Sequence, residues 1–217
     1  PPRSTLFPYT TLFRSGCTVG HYGGTIREIA SEADAAFQMY TSLAYGSRCM
    51  QWFTFAQPEV DDYGSAMIDT DGKTTAAYDA VKKVNADVQA FAHVLLSFDW
   101  QGILLSQGTQ ESTDGQGNFA FVRAQQYEFS QLQTISAFAS SRDAIMGVYR
   151  DAQGREGFMV ADFNDPAEGT GNEITLTLRG KTHAVVFSGG EEKDVECPNG
   201  KLTISLPAGG GAFVVPY

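Results

Sequence analysis

Hydrophobic period changes once along this chain, near residues 97 to 100. Before that point apolar residues recur at spacings of three and four. In "GTIREIASEADAAFQMYTSLAYG", Ile26, Ile29, Ala33, Phe37, Tyr40 and Ala44 form one stripe of an amphipathic helix. Thr25 followed by Glu28 fits a capping box at its start, and Gly46 fits the C-terminal stop. In "TTAAYDAVKKVNADVQAFAHVLLSF", Tyr78, Val81, Val84, Val88, Phe91 and Leu95 mark a second helix of about six turns. Between them, "RCMQWFTFAQP" is rich in aromatics and closed by Pro58, which predicts a strand buried on both faces. Helix, short turn and strand together make an αβ unit.

From Trp100 onward the chain reads as short alternating runs separated by Gly, Asn and Asp. Strands are predicted near 145–150, 157–163, 173–179, 183–188, 201–206 and 211–216, in antiparallel pairs. The pair around Asn199 and Gly200 carries the strongest hairpin signal in the sequence. Six strands with no helix between them predict an antiparallel sandwich. The expected fold is therefore an α/β remnant over residues 16–97 followed by an all-β antiparallel sandwich over 98–217, each with its own hydrophobic core.

The first fifteen residues fit neither pattern. "PPRSTLFPYTTLFRS" contains Thr-Leu-Phe twice and prolines at 1, 2 and 8, with no apolar period and no continuous apolar stretch of the signal-peptide kind. Its "TLFPYTTLFRS" resembles the codon-by-codon translation of a short-read sequencing adapter. Residues 1–15 are accordingly read as an adapter-derived artefact joined to a metagenomic fragment, and the natural protein is expected to continue upstream of Gly16.

Composition narrows the function classes. With 42% hydrophobic and 12% aromatic residues, the chain has ample material for a packed core. Fifteen Lys and Arg against 25 Asp and Glu give a net charge of −10, which repels phosphate backbones, so no nucleic-acid partner is expected. No run approaches the roughly 18 apolar residues of a membrane-spanning helix, so no membrane partner is expected either. Cys17, Cys49 and Cys197 are isolated, and His21, His93 and His183 are scattered. That pattern reads as buried or free thiols, and implies neither a disulfide framework nor a metal or other cofactor.

The order of motifs in the first unit carries a resemblance. "LAYGSRCMQWFTFAQP" followed by "GSAMIDTDGKTTAAYDAVKKVNADVQAF" resembles the end of the catalytic barrel in clan A glycoside hydrolases, especially bacterial β-galactosidase-like members near families 42 and 5. There an Ala-(Tyr or His)-Gly turn ends the seventh helix, and an aromatic-rich eighth strand follows. An Asp-x-Asp-Gly loop then leads to a last helix with a Tyr-Asp-x-Val-x-x-Val-Asn pattern, matched here by Tyr78, Asp79, Val81, Val84 and Asn85. The chain departs from family 42 in running straight from the barrel end into strands, where those enzymes carry an α/β trimerisation domain. The resemblance implies the last helix-strand-helix of a (β/α)8 barrel from a retaining β-glycosidase, with a carbohydrate substrate and the rest of the barrel as its missing partner. Such an enzyme hydrolyses O-glycosidic bonds with two carboxyl groups, and both are expected upstream of Gly16. As supplied the chain would be catalytically incomplete. A non-catalytic carbohydrate-binding or assembly module is the alternative.

In barrels of this kind the site lies at the C-terminal ends of strands and in the loops that follow, which is Phe55 to Tyr63 here. Along the strand Cys49, Gln51, Phe53, Phe55 and Gln57 share one face, and Met50, Trp52, Thr54 and Ala56 the other. The resemblance makes Phe55, and after it Phe53, candidates for a ring that stacks on sugar. Gln57 and Glu59 are candidates for sugar hydroxyls at the mouth, and His21 and Tyr22 for substrate contact from the loop before the first helix. Trp52 faces the other way by period and reads as core. Glu28 and Glu32 read as solvated helix residues, and Asp69 and Asp71 as turn formers.

Overall fold

The computed structural model describes residues 21–22, 25–26, 29, 31–57, 66–106 and 129–217. The expectation for residues 1–15 lies outside these. A short antiparallel ladder pairs β1 (His21–Tyr22) with β2 (Thr25–Ile26). Two helices follow, α1 (Glu32–Ala44) and α2 (Ala76–Leu95).

Helix α1 starts later than its apolar stripe predicts. Thr25 is in β2, and the N-cap is Ser31, whose hydroxyl accepts from the Asp34 N–H at 3.2 Å. Ser31 with Asp34 at the third position is a shorter form of the motif expected at Thr25, and Glu32 and Asp34 put acid at the positive end of the helix. The stop falls where it was expected. Gly46 takes φ +86°, its N–H donates to Leu43 O at 2.8 Å, and the Ser47 N–H donates to Ser42 O at 3.0 Å, a Schellman motif.

Nine further strands follow: β3 (Phe98–Ser106), β4 (Ile135–Ser140), β5 (Ala144–Asp151), β6 (Glu156–Asp162), β7 (Asn172–Leu178), β8 (His183–Ser188), β9 (Glu191–Glu196), β10 (Lys201–Leu206) and β11 (Gly211–Pro216). They form two antiparallel sheets, one of six strands in the order β3-β5-β6-β11-β8-β9 and one of three in the order β10-β7-β4. The antiparallel sandwich expected from the alternating runs is present. Three layers result: the helix pair, the six-stranded sheet and the three-stranded sheet.

Layering explains the sequence of the central strands. Along β5, Ile145 and Tyr149 face the helices while Met146 and Val148 face the other sheet, and all seven residues of β6 are buried. A strand covered on both faces needs apolar residues in succession. The three-stranded sheet is covered on one face only, and β10 alternates strictly, with Leu202, Ile204 and Leu206 inward and Lys201, Thr203 and Ser205 in solvent.

Two expectations are corrected. Asn199 and Gly200 both take positive φ, 57° and 69°, yet they do not close a hairpin. β9 pairs with β8 in the larger sheet and β10 with β7 in the smaller, so the turn carries the chain from one sheet to the other. Pairing β10 to β9 would extend an exposed edge strand and leave three large apolar side chains without cover; crossing over buries them. The second correction concerns the cores. One cluster joins Leu43 of α1 and Phe91 of α2 to Ile103, Tyr149, Met159 and Phe213 of the sheet, so the residues before and after 97–100 share a core.

That shared core depends on close approach. An added Cβ would lie 2.3 Å from Ala44 O at Gly147, 2.2 Å from Ala33 O at Gly209 and 2.5 Å from the Tyr40 ring at Gly211. Helix α1 thus rests on bare backbone. Around it Phe213 packs edge-on against Phe98 and Tyr149, with centroids 5.5 and 5.8 Å away, and stacks on Phe91 at 6.3 Å. Replacing Gly147 by Ala should force α1 off the sheet and cost about 1–3 kcal/mol, the usual range for overpacking. Urea denaturation of the variant checks this; an unchanged midpoint would mean that the helix sits less tightly than described.

Candidate functional site

Segment 49–57 leaves the α1 corner and passes α2, where Trp52 meets Asn85. Exposed and half-buried residues alternate along it as far as Phe55, but it forms isolated bridges in place of a ladder, among them Ala56 to Ile68 in parallel. Burial on both faces is therefore corrected: Cys49, Gln51, Phe53 and Phe55 are exposed, while Met50, Trp52 and Thr54 are half-buried. A ladder-less strand keeps cover only where α2 and its loop lie against it.

The covered side is fixed by specific bonds. The Trp52 indole N–H donates to Asn85 Oδ1 of α2 at 3.0 Å, and both Trp52 and Met50 pack on the helix-sheet core. This is the inward orientation expected for Trp52, and it gives Asn85 a job in the last-helix pattern. At the far end the Ile68 N–H donates to Phe55 O at 2.8 Å and the Gln57 N–H to Ile68 O at 2.9 Å. Thr75 Oγ1 closes the loop base by donating to Ala66 O at 2.6 Å.

On the opposite side Phe53 is 52% exposed and Phe55 60%, two of the four large apolar side chains that reach solvent among the described residues. Ala56 is exposed and Gln57 half-buried, so the alternation ends at Phe55. The two exposed rings offer an apolar ledge. Glu59 lies outside the described residues. His21 and Tyr22 lie on the separate β1-β2 ladder, opposite Ile26 and Thr25.

Other carboxylates serve structure. Asp69 Oδ1 accepts from the N–H groups of Asp71 and Lys73 at 2.9 and 2.8 Å, the turn-forming role expected of it. Glu32 makes a surface ion pair with Lys83 of α2. The Asp162 side chain accepts from Asn164 and Asn172 through Oδ1 and from the Gly209 N–H through Oδ2 at 2.9 Å, tying the β6 end to the loop under α1.

Glu156, whose side chain is 0% exposed, accepts from the N–H groups of Gln133 and Thr134 at 3.0 and 2.9 Å, from Thr134 Oγ1 at 2.7 Å and from Arg150 at 3.1 Å. Burial alone would raise its pKa; these donors outweigh burial and hold it below the ordinary 4.5. Asp151 is lowered likewise: burial opposes the charge, and the Arg155 and Gln153 donors win. Among the described residues no cluster of His, Cys, Asp and Glu could hold a metal ion. No helix among them is long and apolar enough to cross a membrane.

A scan against protein-family models finds no match for this chain, and a search of curated proteins finds no related sequence. The geometry of segment 49–57 and of the sandwich therefore carries the functional reading.

Because the folded pKa of Glu156 lies below its unfolded value, its contribution is complete above the ordinary glutamate range and is lost as pH falls through the lowered value. Glu156→Gln should cost about 1–3 kcal/mol at neutral pH, since an amide N–H2 would face the donors of Gln133 and Thr134. The gap between wild type and variant should narrow below pH 4.5. Denaturation midpoints across acid pH check this; a constant gap would mean that the carboxylate charge contributes nothing.

Proposed function

We propose that this chain is the C-terminal part of a retaining β-glycosidase of the clan A type. Residues 16–97 are the last helix-strand-helix of its (β/α)8 barrel, with α1 and α2 as outer helices and 49–57 as the eighth strand; 98–217 are its accessory sandwich. The observation that carries this reading is the two-sidedness of segment 49–57, tied to α2 by Trp52 and Asn85 on one side and presenting Phe53 and Phe55 on the other. In a barrel the first side meets the helical shell and the second faces the substrate end of the lumen.

In this reading hydrolysis is carried by two carboxyl groups about 5–5.5 Å apart, on strands that precede the chain. One protonates the leaving oxygen and the other attacks the anomeric carbon; water then releases the sugar. This chain supplies the floor: Phe55 and Phe53 stack against the sugar ring, and Gln57 and Glu59 meet its hydroxyls. The sandwich acts as support. Its outer face carries Ala137, Ala139, Thr175, Thr177, Thr203 and Ser205, small polar and methyl-bearing residues with no aromatic among them. Phe138, which a glycan platform would need outside, packs in the core between the sheets, and Phe129 is half-buried against that core. A glycan-binding or assembly module therefore has less to support it.

The purified chain should not turn over aryl β-glycosides above buffer, while the longer protein should. In that longer protein Phe55→Ala should weaken sugar binding by about 1–3 kcal/mol, by analogy with other ring-on-aromatic stacking. Turnover by the chain itself, abolished by Glu59→Gln, would overturn the proposal. Kinetics indifferent to Phe55→Ala would remove that ring from the site.

A further inference from the structure

We infer that Arg48, with Trp100 and Tyr149, is a positioning clamp through which the sandwich fixes the ledge of Phe53 and Phe55. The inference rests on the reading of that ledge as a sugar floor. Arg48 opens the segment. Its Nη2 donates to Leu96 O, the C-cap carbonyl of α2, at 2.6 Å, and its Nη1 to Asp99 Oδ1 at 2.9 Å and to Phe98 O at 3.3 Å. One guanidinium thus joins the start of the ledge to the end of α2 and the first residues of β3. A planar fork with several donors can hold three acceptors in one geometry.

The corner just before Arg48 is held from the other direction. Trp100 Nε1–H of β3 donates to Ala44 O at 3.0 Å, and the Tyr149 hydroxyl of β5 donates to Leu43 O. Both acceptors are last-turn carbonyls of α1, where the helix's own N–H donors run out; Leu43 O also takes the Gly46 N–H. The Trp100 ring also lies over Gly46, where an added Cβ would come within 2.6 Å of Cγ. The sandwich caps the helix that precedes the segment, and the segment caps the helix that precedes the sandwich. Phe53 and Phe55 lie five and seven residues beyond this double cap. Their orientation is therefore set by β3 and β5 as well as by α2.

Amide hydrogen exchange on the whole chain tests this without a sugar. The N–H groups of Gln57 and Ile68, whose bonds straddle Phe55, report the seat of the ledge. In Arg48→Ala they should exchange roughly tenfold faster while the β5-β6 ladder is unchanged, since a local opening moves only its own amides. Arg48→Lys, which keeps the charge but not the fork, should restore part of the protection, and Trp100→Phe, which deletes one donor, should loosen the same two amides to a smaller degree. Equal acceleration in the β5-β6 ladder, or no change at Gln57 and Ile68, would overturn the inference. A ledge that is clamped as described yet binds no glycoside in the longer protein would count against the sugar reading alone.

Discussion

Helix α1 lies directly on backbone at Gly147 and Gly211 of the sheet and at Gly209 of the turn before β11, and the remaining architecture follows from that contact. Three side chains are withheld so that the helix can descend, which brings Leu43 and Ala44 within reach of Tyr149 and Trp100. The descent also closes the space around Phe213, where rings from α2, β3, β5 and β8 meet it. Interiors are packed to near-crystalline density, so a helix displaced by one methyl group would lose contacts along its whole length. The six-stranded sheet therefore needs its helices as much as they need it: without them Ile145, Met159 and Phe213 would face water.

Much of this was legible in local sequence. Gly46 marks the end of α1 because only a left-handed residue closes a Schellman motif cheaply, and β5, β6, β7, β8, β10 and β11 fall where turn residues interrupt apolar runs, whereas the polar edge strand β9 has no such run. Asp69 was readable as a turn former and Trp52 as inward-facing. What was not legible depended on partners distant in sequence. Ser31 took the cap expected at Thr25 because both fit the same local rule, and burial of Ala35 and Met39 decided where the helix began. Asn199 and Gly200 have the dihedral signature of a tight turn, but the choice between closing a hairpin and changing sheets belongs to Leu202, Ile204 and Leu206, which need a roof. The apolar runs in β5 and β6 imply two covered faces without saying that helices from before residue 97 supply one of them. Arg48 is a lone cation in sequence, and its acceptors lie about fifty residues on.

The candidate site owes its form to unequal support. Segment 49–57 has an anchored side, where Trp52 meets Asn85, and a presented side, where two phenylalanines stand more than half in solvent. Large exposed rings cost apolar hydration, which makes them informative beside two sheets whose apolar side chains lie mostly in the cores. The outer face of the three-stranded sheet is built differently, from alanine, serine and threonine, with glutamate and lysine at its margins. The proposed role of the ledge as a sugar floor accounts for the difference.

The central structural claim is that helices and sandwich are one cooperative unit, so that the ledge is held by the whole of it. Differential scanning calorimetry of the purified chain tests this most directly. A shared core predicts one transition whose calorimetric and van't Hoff enthalpies agree, their ratio close to unity. Two separable transitions, with the helices melting first while the sheets remain folded, would contradict it.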